Sequence, residues 1–165
     1  MTILQKKLIR LARKSGACSR VSELEACKTE RELVALMYRY WDFVCENNFP
    51  PKALLIAYKD IVRPFGVYVD DPDVQIAGVA KVALFDSTAT AVADGFKSQI
   101  IYAARGAKIT VEASGHALVV VEACGFSEVY INTSEKAAVI VTLRDHAALQ
   151  YNRPDNLKII NHATV

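Results

Sequence analysis

Residues Gly115–Asn132, GHALVVVEACGFSEVYIN, alternate apolar with small or polar side chains, break at a glycine, and repeat the alternation ten residues on. Such period-two patterning marks a strand with one buried face. Whether the stretch is one hairpin or part of a longer array decides the fold. Set in blocks of ten from Ala107, the second half reads AKITVEASGH, ALVVVEACGF, SEVYINTSEK, AAVIVTLRDH, AALQYNRPDN and LKIINHATV. The third position is aliphatic in every block, from Ile109 to Ile159. The fifth holds Val111, Val121, Ile131, Val141 and Tyr151, and the first is small in five blocks. A fixed spacing without insertions means units stacked in register.

Two architectures fit: an antiparallel meander of ten-residue hairpins, or a parallel β-solenoid with two blocks per turn. The fourth position separates them. It runs Thr90, Ile100, Thr110, Val120, Tyr130, Ile140, Gln150, Ile160, with every second residue aliphatic. A meander has no cause for a period of 20. In a solenoid Ile100, Val120, Ile140 and Ile160 form a column on one sheet, while Thr90, Thr110, Tyr130 and Gln150 form another on the opposite sheet. The solenoid is therefore the favoured reading, with four turns about 20 Å tall.

The first part of the chain is helical in pattern. TERELVALMYRYWDFVCE (29–46) has a Thr29/Glu32 capping box and apolar residues at helical spacing. Pro51 suits the start of a second helix, KALLIAYKDIV, which RPFG closes. VYVDDPD then reads as a link into the strands. Residues 2–14 form another amphipathic segment, with Leu4, Leu8 and Leu11 on one side. The expected fold class is α+β: a basic amphipathic arm over 1–28, a helical cap over 29–77 and a β-repeat solenoid over 78–165. The helices are expected to cover the first turn of the coil or its aliphatic outer column. The competing reading makes that column a self-association interface.

A helical front ending in NNFPP, a short helix, the link GVYVDDPD and ladders such as KITVEASGHALVVVEACGFSEVYIN together resemble a group of small proteins. These are encoded in gut-bacterial genomes and their prophages, with a helical N-terminal part and a β-repeat tail. The resemblance covers roughly residues 22–150. It implies a phage or mobile-element origin and transfers no activity and no functional residue. The repeat is also similar to β-solenoid proteins in general, some of them filaments or phage fibre parts, which is a likeness of fold alone.

Charge is uneven. Lys6, Lys7, Arg10, Arg13, Lys14 and Arg20 precede the first acidic residue, Glu23, in a chain whose net charge is only +2. These cations can lie on phosphates or on an anionic membrane. The simpler reading docks the leucines on the body and leaves the cations in water. No apolar run reaches the roughly 20 residues of a membrane helix, and the first residues do not read as a secretory signal. A cytoplasmic, reducing location with free thiols follows as the default for Cys18, Cys27, Cys45 and Cys124.

Sites of chemistry are sparse. His116 and His146 fall on opposite edges of a 20-residue turn, too far apart to share a zinc ion. Asp70, Asp71 and Asp73 lack the spacing of a calcium loop and read as a turn. Glu112 and Glu122 belong to different sheets and do not pair as acid and base. Cys124 lies one turn from His146 on the same edge, and a buried or incidental thiol is the plainer reading. The expectation is a non-enzymatic structural or interaction module, with no cofactor and no metal. It self-associates or binds another protein, through the flat sheet that carries Thr110 and Tyr130 and the aliphatic column that carries Val120, Ile140 and Ile160, supplemented by Leu118. The alternative is a nucleic-acid-associated accessory protein that binds through Lys6, Lys7, Arg10, Arg13 and Lys14.

Overall fold

Helical spacing in the first third and strict alternation thereafter give two different kinds of structure. The computed structural model describes residues 2–17, 20–78, 81–152 and 155–162. The chain divides into two units, Met1–Phe65 and Gly66–Val165. The first is helical, the second a parallel β-coil, so the fold class is α+β.

In the first unit, α1 spans Ile3–Lys14. Thr2 caps it: its hydroxyl accepts from Gln5 N at 3.1 Å, and the Gln5 side chain accepts from Thr2 N at 3.3 Å. Leu4, Leu8, Ile9 and Ala12 are buried. Gln5 is buried with them. Its Nε2 donates to the carbonyls of Leu24 and Cys27, both at 2.7 Å. Those groups end α2 (Val21–Ala26), a helix too short to escape the open-carbonyl problem of any C-terminus. The arm is thus a folded part of the helical unit.

The expected helix over 29–46 is two helices, α3 (Glu30–Arg39) and α4 (Trp41–Glu46), broken at Tyr40 with φ −110° and ψ 41°. The Tyr40 hydroxyl donates to Glu23 at 2.5 Å and accepts from Arg20 at 2.8 Å, so its position is set by residues far upstream. Thr29 caps α3 through Glu32 N, but the Glu32 carboxylate accepts from Lys28 N rather than from Thr29. α5 runs Lys52–Val62 with Pro51 at its N-cap, and a single 3₁₀ turn, Arg63–Phe65, closes the unit.

Eleven described strands make up the second unit: β1 (Val67–Val69), β2 (Val74–Ala77), β3 (Lys81–Phe85), β4 (Thr88–Ala93), β5 (Ser98–Ala104), β6 (Lys108–Ala113), β7 (Leu118–Ala123), β8 (Glu128–Thr133), β9 (Ala138–Arg144), β10 (Ala148–Tyr151) and β11 (Leu157–His162). Odd strands form sheet A in the order β1-β3-β5-β7-β9-β11. Even strands form sheet B in the order β10-β8-β6-β4-β2. Every pairing is parallel. Val120 lies beside Ile140, not beside residue 130, which settles the choice between solenoid and meander. The coil also starts earlier than the decapeptide phase reads. Val67 pairs with Ala83 and Val74 with Ala89, so VYVDDPD supplies strand β1 and the corner that leads into β2.

Side chains at alternate positions fill the space between the sheets: Ile109, Val111, Val119, Val121, Val129 and Ile131, among others, are all but inaccessible. The small first positions explain themselves, since Ala107, Ala117, Ser127 and Ala137 sit fully buried where the sheets converge. The corners continue the ladder. His116 N donates to Gly95 O at 2.7 Å and Lys136 N to Gly115 O at 3.0 Å, so the backbone stays paired around the turn. Each of these corners holds a residue with positive φ, as at Gly95, Gly115 and Glu135 on one edge and Arg105, Gly125 and Asp145 on the other.

The last turn departs from the repeat. From β5 to β9 the register is 20 residues, but Val139 pairs with Leu157, 18 residues on. Lys158 therefore takes the place beside Ile140, and Ile160 lies beside Thr142. The expected column ends at Ile140. Two asparagines stand in where the spacing fails. Asn152 accepts from Thr133 N at 2.9 Å and donates to Thr133 O at 3.2 Å, in the manner of a strand backbone, and Asn156 Nδ2 donates to Glu135 O.

Candidate functional site

Along the coil, inward columns stay dry until the end. Val111 and Ile131 are at most 1% exposed, but Tyr151, next in that column, is 47% exposed. On the other sheet Val121 and Val141 are inaccessible, while Ile159, beside Val141, is 40% exposed. Leu149 and Leu157 are partly buried against the core. Among the described residues β10 and β11 are terminal strands of their sheets, so each presents one line of N–H and C=O groups that no described strand pairs with. The last turn thus combines a backbone edge with apolar side chains of core type.

The sheet faces carry the other expected surface residues. Ile100, Val120 and Ile140 form a half-buried column on sheet A, with Leu118 exposed nearby beside Ala138. Tyr130 is on sheet B, between Thr110 and Gln150. Tyr130 and the aliphatic column thus lie on different sheets, as expected, but Ile160 is displaced from the column by the slipped last turn. Further along sheet A, Ala83, Phe85 and Tyr102 are buried.

Beside Tyr130 runs a shallow groove of about 300 Å³, lined in part by Phe126, Glu128, Tyr130, His146 and Gln150. The Tyr130 hydroxyl donates to Glu128 at 2.8 Å, and Lys108 pairs with the same carboxylate at 3.1 Å. The hydroxyl first, then the lysine, holds the Glu128 carboxyl below its ordinary value. At the groove's rim the rings of Phe126 and His146 stack with centroids 5.0 Å apart, and Phe96 and His116 do the same on the other edge of the coil. These stacks were not read from the sequence, although the 20-residue spacing of each pair contains them. The histidines belong to different edges, as expected.

Glu112 lies on β6 and Glu122 on β7, hence on different sheets. Asp70 and Asp71 form a corner: Asp70 has φ 57°, and Asp71 N donates to Ser87 Oγ. Among the described residues, no group of three or more His, Cys, Asp or Glu is placed to hold a metal ion. The expectation of free thiols throughout is corrected. Cys27 is a free thiol, whereas Cys45 and Cys124 are each disulfide-bonded, so Cys124 offers no thiolate to His146. Burial, then the Glu32 and Glu23 carboxylates, pushes the Cys27 thiol up, which keeps it protonated and unreactive. Cys18 lies outside the described residues.

On α1 the five expected cations, Lys6, Lys7, Arg10, Arg13 and Lys14, are all exposed. Arg13 pairs with Glu25 at 2.7 Å, and the Lys7 ammonium sits 5.3 Å from the centre of the Tyr58 ring. No helix among the described residues is long and apolar enough to cross a membrane. No family model, curated protein or solved structure matches the chain.

Proposed function

We propose that this protein is a non-enzymatic structural module that joins end to end with a second copy of itself through the last turn of its coil. One observation carries the reading: two core columns that are dry for several turns emerge as Tyr151 and Ile159, next to two open strand edges. A coil end of this kind is stabilised when another strand continues the ladder and covers the apolar rows. A two-fold axis normal to the sheets sets β11 antiparallel to its own copy. Centred on Ile159, that pairing puts Ile159 opposite Ile159 and Lys158 opposite Ile160, so no like charges meet. Closed two-fold symmetry also stops growth at a dimer. A small self-joining β-coil suits the phage or mobile-element setting that the sequence resemblance implies.

Light scattering coupled to size exclusion tests this at about 100 μM protein. The parent is expected to run as a dimer, and an Ile159→Lys, Tyr151→Asp variant as a folded monomer with an unchanged circular dichroism spectrum. A monomeric parent, or a variant that stays dimeric, overturns the proposal.

A further inference from the structure

The cations of α1 have a geometry that the sequence alone did not supply. One side of the helix is consumed: Leu4, Leu8, Ile9 and Ala12 are buried, and Gln5 is held by the carbonyls that end α2. The opposite side carries all five cations, and α1 contains no acidic residue. Lys6, Arg10 and Lys14 follow one another at i, i+4 and i+8, a row about 12 Å long at 1.5 Å per residue. None of these three has an ion-pair partner among the described residues, whereas Arg13 on their flank does. The surrounding unit adds to the field. Residues 1–65 hold twelve Lys or Arg against seven Asp or Glu, a net of +5, while residues 66–165 hold eight against eleven, a net of −3.

We infer that the exposed face of α1 binds the phosphate backbone of duplex nucleic acid, without regard to sequence. A fixed row of charges fits a stiff polyanion with about one charge per 1.7 Å of axis, because release of condensed counterions rewards each phosphate neutralised. α1 itself bears no aromatic side chain, and the one ring beside it, Tyr58, is half-buried against the Lys7 ammonium, so single-stranded bases find no row of rings to stack on. Binding a membrane as an amphipathic helix needs an apolar face to bury in lipid. Here that face is already inside the protein, and the one large apolar residue left outside is Ile3. This inference is independent of the end-to-end joining, since it uses α1 and the other uses β10 and β11.

Fluorescence anisotropy with a labelled duplex of arbitrary sequence tests it. Between about 20 and 200 mM salt, three to five neutralised phosphates give a log–log slope of about −2.7 to −4.5. The triple variant Lys6→Gln, Arg10→Gln, Lys14→Gln should lose about 2.7 from that slope and bind at least about tenfold more weakly. Its melting temperature should match the parent's, because all three side chains are in water. A control, Lys136→Gln with Lys158→Gln in the coil, should bind as the parent does. The inference is overturned by absence of binding at the lowest salt, or by a triple variant that binds like the parent. Tighter binding to phosphatidylserine-containing vesicles than to the duplex overturns it too.

Discussion

Gly95 and Gly115 occupy equivalent corners one turn apart, with φ of 62° and 67°. Positive φ alone does not demand glycine here, since Glu135 holds the next corner at 58°. What separates the two glycines is space. A Cβ on Gly95 meets nothing within 4 Å, whereas one on Gly115 would lie 2.9 Å from the backbone nitrogen of Gly95. Gly95→Ala should therefore cost about 1 kcal/mol, the left-handed penalty. Gly115→Ala should cost about 2–4 kcal/mol, because the main chain it strikes is fixed in the ladder. Urea melts of the two variants check this, and equal midpoints would refute it. Thr133 offers the opposite change. It is buried, and its hydroxyl has no hydrogen-bond partner among the described residues, while its backbone is held by Asn152. Thr133→Val keeps the shape, removes a stranded polar group and should raise stability by about 1 kcal/mol. A lower melting temperature for that variant would count against the account.

Between α2 and α3 the connection is polar. Glu23 accepts from Tyr40, pairs with Arg39 at 3.1 Å and lies 3.6 Å from Arg20. The Tyr40 hydroxyl first, and then the two arginines, hold its carboxyl below the ordinary value of 4.5. A carboxyl lowered by folding contributes its stabilisation in full above the unfolded value and loses it as pH falls through the folded one. Stability of the parent should thus decline below about pH 4.5, and Glu23→Gln should flatten that acid limb. Melting temperatures of both proteins from pH 3 to 7 test the sign, and parallel curves would refute it. The same cluster explains why the helices were only partly legible. Apolar spacing over 29–46 runs unbroken through Tyr40, so the pattern reads as one helix. The break at Tyr40 goes with partners at positions 20 and 23, which local periodicity does not contain. α2, at six residues, is too short to show a period at all.

In the whole molecule, the coil was legible because its period is written in side-chain size. Aliphatic residues recur every 20 positions at outward sites, where only stacking in register gives that spacing a meaning. Ile160 escaped because the link NRPDN is followed by a strand that rejoins the ladder after 18 residues, and a count of tens does not register two missing residues. The cations of α1 were legible as a charge bias, but their shared face and the engagement of Gln5 depend on where α2 ends. The exposed last turn was hidden for a related reason. Tyr151 and Ile159 continue the apolar pattern of their blocks, and composition alone does not distinguish a core residue from one at the end of a core.

The constant register between β5 and β9 makes each pair of decapeptides interchangeable, like a bead on a wire. A second copy of residues 118–137 inserted after Ala137 should thread into the coil as a spare rung and lengthen it by about 4.8 Å. In the added rung its glutamates become glutamine, so that like charges do not stack, and its cysteine becomes alanine. Hydrogen exchange would reveal the result: the inserted amides should be as slow as those of β7 and β8. Exchange at the rate of an unstructured loop would mean that the ladder is not modular and that each rung is bespoke.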